Sequence, residues 1–239
     1  WSGRLRAARC GAAQLKVSRH RMNSLEFDSQ FTSYRAFLRD EIHRYHDSVS
    51  VYRQLHEQRA KHLDQLNLAP AFFSVVDQSL VTTIILWGDK LLDEGAERGI
   101  FHFLRFIENN RKWLSVDELK RRRSYHDDHW FIQNREPVDF KKIEADRMKL
   151  RSVPSLYAFR LHRDKLHGHF DKKYAFDKIR LHQDAPIKWE DLTGLGRIMG
   201  EVVNDYSIEF NGEEFSWDTI NIQDLDTLLT AAQRGKRRK

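Results

Sequence analysis

The chain has 239 residues, 40% of them hydrophobic, with eleven glycines, four prolines and one cysteine. That is enough apolar material for one core, too little turn punctuation for a many-stranded sandwich, and no basis for an internal disulfide or a zinc site built on two or more cysteines. The formal charge of +6 sits at the ends: residues 1–21 hold six basic and no acidic side chains, residues 234–239 hold five and none, and the body between them has 30 basic against 35 acidic residues. Nucleic acid must therefore meet the folded body at a local basic pocket and not through overall charge. No run approaches the eighteen apolar residues of a membrane span, and the lone Cys10 fits a reducing cytoplasm.

From residue 24 the positions Phe31, Tyr34, Leu38, Ile42, Tyr45, Val49, Tyr52 and Leu55 recur every three or four residues, which predicts one long amphipathic helix reaching Leu66. His43 and His46 have helical ligand spacing, but no acidic or cysteine group converges on them in sequence, so they read as polar residues flanking the stripe. Pro70 suits the first turn of the next helix. That helix, over residues 71–93, is apolar around much of its circumference and is expected to be the most buried rod. Gly88, within Trp87-Gly88-Asp89-Lys90, weakens it locally by about 1 kcal/mol.

Gly95 and Gly99 bracket a turn before a shorter helix over residues 100–110. Ser115 and Glu118 have capping-box spacing, and the helix they open runs into Lys120-Arg121-Arg122-Arg123, which would either contact phosphate or form a solvated surface. His126, Asp127, Asp128 and His129 are the most metal-like cluster. Adjacent residues rarely chelate one ion, so a loop or irregular helix end is expected there. A polar helix over residues 139–150 follows, Pro154 resets the backbone, and a helix over residues 155–175 comes next. A loop near Pro186, a helix over residues 189–207, the Asn211-Gly212 pair and a final helix over residues 222–232 complete the reading. Asn-Gly between Phe210, Phe215 and Trp217 suggests a small hairpin.

The expected domain is a single all-α unit over residues 22–233, followed by a disordered basic tail at 234–239. Residues 1–21 read as an expression leader or upstream sequence ahead of a natural start at Met22, with an organellar transit peptide as the other reading.

Within the helix over residues 155–175, Leu156, Phe159, Leu166 and Phe170 form a buried stripe, and on an ideal wheel Arg163 falls inside their arc. An arginine is almost never fully buried unless it is paired. This one must meet an acid, an interface or an anionic ligand.

The run Arg163-Asp164-Lys165-Leu166-His167-Gly168-His169-Phe170-Asp171-Lys172 resembles the arginine, polar residue, four to six spacers, histidine signature of the HEPN superfamily, and specifically its abortive-infection U-type branch. Arg163, five intervening residues and His169 match the spacing; Gly168 before the histidine and Asp171-Lys172 soon after it match the branch. The resemblance covers roughly residues 24–233, outside the motif in architecture only. It implies an antiparallel helical bundle with extra helices, in a bacterial cytoplasm, with an abortive-infection or toxin role in phage defence. It further implies a homodimer with the motif at the two-fold interface, an antitoxin or nucleotidyltransferase partner, and metal-independent endoribonuclease activity on RNA without a cofactor.

Such cleavage needs a base for the 2′-hydroxyl proton, an acid for the 5′ leaving oxygen and positive charge at the phosphorane, and it leaves a 2′,3′-cyclic phosphate. Histidine, with an unperturbed pKa of about 6.5, carries the proton either way, and arginine clamps phosphate oxygens. The catalytic roles fall to Arg163 and His169. An ideal helix sets these two about 120° apart, while His167 shares the face of Arg163. A helix distorted near Gly168, a groove flanked by both residues, or two motifs meeting across a dimer would each reconcile them.

Arg160, six spacers and His167 also satisfy the broad motif. Asp164 would orient an imidazole, hold Arg163 or serve a structural ion pair, and Lys165 and Lys172 would steer RNA. Tyr174 stands near the motif, where some HEPN toxins carry a tyrosine modified by a partner nucleotidyltransferase, at a spacing from His169 that departs from theirs. The competing reading is a non-catalytic helical RNA- or protein-binding module in which Arg163 sits in a permanent ion pair.

Overall fold

The computed structural model describes residues 22–133, 135–167, 171–221 and 223–237. Asn23 caps α1 (Ser24–Gln58): its side chain accepts the Glu26 N–H while Glu26 accepts the Asn23 N–H, each at 2.9 Å. Phe27, Phe31, Leu38, Ile42 and Tyr45 then lie on one face and are fully buried. Each such apolar side chain contributes about 1.5–3 kcal/mol relative to an exposed one. The rod ends earlier than its periodicity suggests, because the chain turns after Gln58 to bury His62 and Leu66, the latter in a short α2 (Leu63–Leu66).

Pro70 occupies the first turn of α3 (Pro70–Leu91), which returns antiparallel along α1: His56 Nε2 meets Asp77 at 3.0 Å, and farther along the Trp87 indole donates to Glu41. The chain continues through α4 (Ile100–Asn110), a 3-10 turn at Arg111–Leu114, α5 (Val116–Arg123), α6 (Phe140–Arg151), α7 (Leu156–His162), α8 (Lys172–Ala175), α9 (Lys178–Asp184), α10 (Trp189–Asn211) and α11 (Asp224–Arg237). None of the described residues lies in a strand. The fold is all-α, a helical bundle.

α10 packs antiparallel on α1, with the Tyr45 hydroxyl donating to the Leu192 carbonyl at 2.9 Å and Arg35 Nη1 donating to the Asn211 side chain at 2.8 Å. Gly196 permits this approach, since a Cβ there would stand 2.9 Å from the His46 ring. Residues of α1, α3, α4, α6, α7 and α10 share one buried cluster. α11 rests on a smaller one, Leu229 against Leu55 and Leu66, and Asp226 accepts from Lys61 at 2.7 Å beside it. This helix continues to Arg237, so residues 234–237 form its last turn and not a separate tail.

Four local expectations are corrected. α3 is buried only in its carboxyl half, at Ile84, Ile85, Gly88, Asp89 and Leu91, because α7 and α10 cover that half alone; Phe72 and Val75 remain 62% and 63% exposed. It is also long and apolar enough to cross a membrane by length and composition, with a mean hydropathy of 1.4 over an 18-residue window of which 17% is buried. The apolar run-length reading missed this because Asp77, Gln78 and Ser79 interrupt it.

The Asn211-Gly212 pair makes no hairpin. Asn211 ends α10 and Gly212, at φ +72°, supplies the left-handed cap, its N–H reaching the Ile208 carbonyl at 2.9 Å. The segment beyond runs back along α10: the Asn204 side chain bonds the Phe215 backbone in both directions, at 2.8 and 3.0 Å.

Ser115 accepts the Glu118 N–H at 3.4 Å, but the Glu118 carboxylate turns to Ser24 and Arg121, so only half of the capping box forms. Every side chain of the basic run then meets a carboxylate of its own chain: Lys120 with Asp127 at 2.6 Å, Arg121 with Glu118 at 2.6 Å, Arg122 with Asp28 at 2.7 Å and Arg123 with Glu213 at 3.5 Å. That pairing disfavours the phosphate-contact reading of residues 120–123. Residues 126–133 form turns in which His129 stacks on Tyr125 at 4.0 Å between ring centroids. Among the described residues no three His, Cys, Asp or Glu side chains converge.

Candidate functional site

Close contact between α3 and α7 sets the site. Phe159 is fully buried and lies so near α3 that a Cβ on Gly88 would come within 2.9 Å of its ring. A glycine that weakens α3 as an isolated helix is what lets α7 approach. The next residue, Asp89, is only 3% exposed.

At His162 the helix changes character. Arg163–His167 is a π turn, and the α-helix does not continue as one rod to Ala175. A π turn bonds each residue to the one five ahead and is wider than an α turn; such turns occur often at functional sites. Asp171 starts a new short helix, accepting the Lys173 N–H at 2.9 Å, and its own N–H reaches back to the Lys165 carbonyl at 3.1 Å. Gly168, His169 and Phe170 lie outside the described residues, and with them the expected catalytic His169.

Arg163 Nη1 donates to Asp89 and Nε donates to Asp164 at 2.7 Å. Its side chain remains 33% exposed, and Nη2 takes no partner among the described residues. The hydrogen bond to Asp164, and after it the one to Asp89, holds the guanidinium pKa above its ordinary range. Burial pushes the Asp89 carboxyl up, against the pull of Arg163 and Arg160. Arg160 approaches the other oxygen of Asp89 at 3.9 Å. Both arginines that satisfy the motif thus converge on one carboxylate.

His167 Nδ1 lies 3.1 Å from the Thr82 hydroxyl. Arg163 and His167 therefore both address α3, at positions seven residues apart. Asp164 serves as a partner of Arg163, Lys165 pairs with Asp171 at 2.9 Å, and Lys172 is exposed with no acidic partner among the described residues. Tyr174 is 7% exposed; its hydroxyl donates to Asp184 at 2.9 Å and accepts from Lys173 at 2.9 Å. His162, 3% exposed, donates through Nε2 to the Ala185 carbonyl at 2.8 Å and so ties the motif to the end of α9.

Asp89 and Thr82 are residues that reading the motif alone does not find. A signal for Asp89 was available: it is the lone carboxylate in the apolar stretch from Leu80 to Leu92. Seven residues make almost two helical turns, so Val75, Thr82 and Asp89 lie along one stripe of α3, with Phe72 a further three residues back. The motif covers one end of that stripe, while Phe72 and Val75 leave the other end bare. Tyr157, Phe176 and Ile179, on and after α7, are 69%, 86% and 72% exposed.

A family model described as AbiU2, of the HEPN group, matches residues 26–229. No curated protein and no solved structure matches the chain.

Proposed function

The chain belongs to the AbiU2 family of HEPN proteins, and from that premise we propose that it is a metal-independent endoribonuclease of the abortive-infection or toxin type. The observation that carries the reading is Arg163: a guanidinium fixed at Nε and Nη1 by two carboxylates, with a third of its side chain still exposed, on a π turn that also carries His167, whose Nδ1 meets Thr82 and whose Nε2 is buried. Fixed orientation with a free edge is what a phosphate clamp requires.

In the proposed reaction a motif histidine takes the 2′-hydroxyl proton, and the resulting oxyanion attacks the adjacent phosphorus. Arg163 neutralises the phosphorane, the bond to the 5′ oxygen breaks, and a second protonated imidazole returns a proton to that oxygen. The products are a 2′,3′-cyclic phosphate and a 5′-hydroxyl. Two imidazoles are available from His167 and His169 of one chain, or from two chains meeting at a homodimer interface. The bare end of the α3 stripe, Phe72 and Val75, supports the second arrangement, since it leaves apolar surface in line with the motif contacts at Thr82 and Asp89.

A second reading has its own support. Because Arg163 is already paired inside its own chain, the same surface serves a non-catalytic RNA- or protein-binding module equally well if no phosphate displaces those carboxylates. Incubation of the purified chain with mixed-sequence RNA in a chelator separates the two. The nuclease yields cyclic-phosphate ends, and Arg163→Ala lowers the rate by about 100-fold or more, as loss of one charge-stabilising donor does. Separate His167→Ala and His169→Ala variants assign the proton carriers. Uncut RNA, or cutting that survives Arg163→Ala unchanged, leaves the binding module.

A further inference from the structure

Between α1 and the amino ends of α10 and α11 lies a cavity of about 410 Å³, within the size range of small-ligand sites. Its charges are answered from within the chain: Arg53 Nε donates to Glu57 at 2.7 Å, while Asp226 accepts from Lys61 at 2.7 Å and meets His62 Nε2 at 3.2 Å. Val49 is the one apolar side chain lining it among the described residues, and it is only 4% exposed. An ionic ligand would find no unanswered charge here, and a purely apolar one no apolar wall.

What the cavity does offer is carboxamide. Gln54, Gln58 and Gln223 all line it, none of their side chains hydrogen-bonds to the described residues, and the Gln58 Oε1 is buried besides. Each carboxamide carries two N–H donors and an oxygen that accepts twice, and a buried polar atom left unpaired is costly. Thr193 and the Arg53–Glu57 pair also line an adjoining cavity of about 470 Å³, walled by Trp189. That indole is 38% exposed and packs on Tyr52, at 5.1 Å between ring centroids.

We propose that the two cavities form one cleft for a neutral saccharide. Neighbouring hydroxyls of a sugar ring both donate and accept, which a planar carboxamide answers with two bonds at once. The C–H face of the next ring then stacks on the exposed indole, whose body is apolar. A single sugar ring would use one cavity and leave the other idle, so the expected ligand has at least two. The same chemistry is presented by a free disaccharide and by a glycan attached to something larger. The cleft stands apart from the nuclease reading, since it shares no residue with the α3–α7 site.

Calorimetric titration of the full chain with maltose, cellobiose, lactose and chitobiose tests this, with triglycine as a peptide control. At least one disaccharide is expected to bind with a Kd of about 1 mM or below. Gln58→Ala and Gln223→Ala should each weaken it by about tenfold, with melting temperatures not lowered, because neither side chain bonds to the protein. The methyl glycoside of the disaccharide that binds separates the sources: equal affinity assigns the cleft to an attached glycan, and lost affinity to the free sugar. Failure of all four disaccharides to bind, binding of triglycine in their place, or binding equal to the parent in both variants overturns the proposal.

Discussion

Asp89 and Arg163 close the gap between α3 and the π turn, and the carboxylate is the more deeply buried partner, its side chain 4% exposed against 33%. Removing either side therefore has unequal consequences. Arg163→Ala strands a buried carboxylate, whereas Asp89→Asn strands a guanidinium that keeps Asp164 and reaches water.

Arg163→Ala is accordingly expected to lower unfolding free energy at pH 7 by about 1–3 kcal/mol, and Asp89→Asn by less. Burial already raises the Asp89 pKa. A carboxyl raised in the folded state contributes its stability below the unfolded value and loses it as pH rises through the folded one. The Arg163→Ala deficit should therefore be larger at pH 7 than at pH 5 in urea melts. A deficit that grows on acidification would show that Asp89 is not the group stranded.

Phe72→Glu with Val75→Glu places two charges on the bare part of the α3 stripe. Both positions are more than half exposed, so the stability of the isolated chain should change by no more than about 0.5 kcal/mol per site. If a second copy seats there, sedimentation will show a dimer for the parent and a monomer for the double variant, and RNA cleavage will fall with it. A parent that sediments as a monomer while cutting RNA would remove the two-chain site.

Gly88→Ala should destabilise despite alanine being the better helix former by about 1 kcal/mol. The new methyl would meet the Phe159 ring at 2.9 Å and Leu195 Cδ2 at 3.2 Å, and both side chains are fully buried. Overpacking of this kind costs about 1–3 kcal/mol. A urea midpoint equal to or above that of the parent would mean that α7 slides away from α3 without penalty.

Burial lowers the pKa of His162, and also of His46. With the folded value depressed, the unfolded chain takes up the proton first, so stability is complete above about pH 6.5 and is lost as pH falls toward the folded value. Thermal melts should drop between pH 7 and pH 5. His162→Gln, which keeps an N–H donor for the Ala185 carbonyl, should shrink that drop, and an unchanged acid slope would assign the effect to other groups.

Helix order was legible from spacing alone for α1, α4 and α10, because their buried positions recur with the helical period and nothing competes with it. Two things hid the rest. Asn-Gly carries the same local signal whether it turns a hairpin or caps a helix, and here Gly212 spends its left-handed φ on the end of α10. Periodicity reports the apolar face of a helix but not its partner, so α3 looked wholly buried although α7 and α10 cover only its carboxyl half.

At the site, the argument that Arg163 needs a counter-ion was readable from its place inside an apolar arc. The identity of that counter-ion was not, since Asp89 is 74 residues away in the chain. The break in the motif helix was legible only as one of three alternatives, a distortion near Gly168, because a π turn leaves no composition of its own.

Register gives that turn a further consequence. A π ring encloses one residue more than an α ring, so excising a single amino acid from Arg163–His167 would let the segment relax to ordinary helical winding. His167 would then keep nearly the same bearing on α3, because the wide ring had already absorbed the residue that was removed. A one-residue gap within these five positions should thus be better absorbed than the same gap in an unbroken α-helix, where it would turn everything downstream by about 100° about the axis.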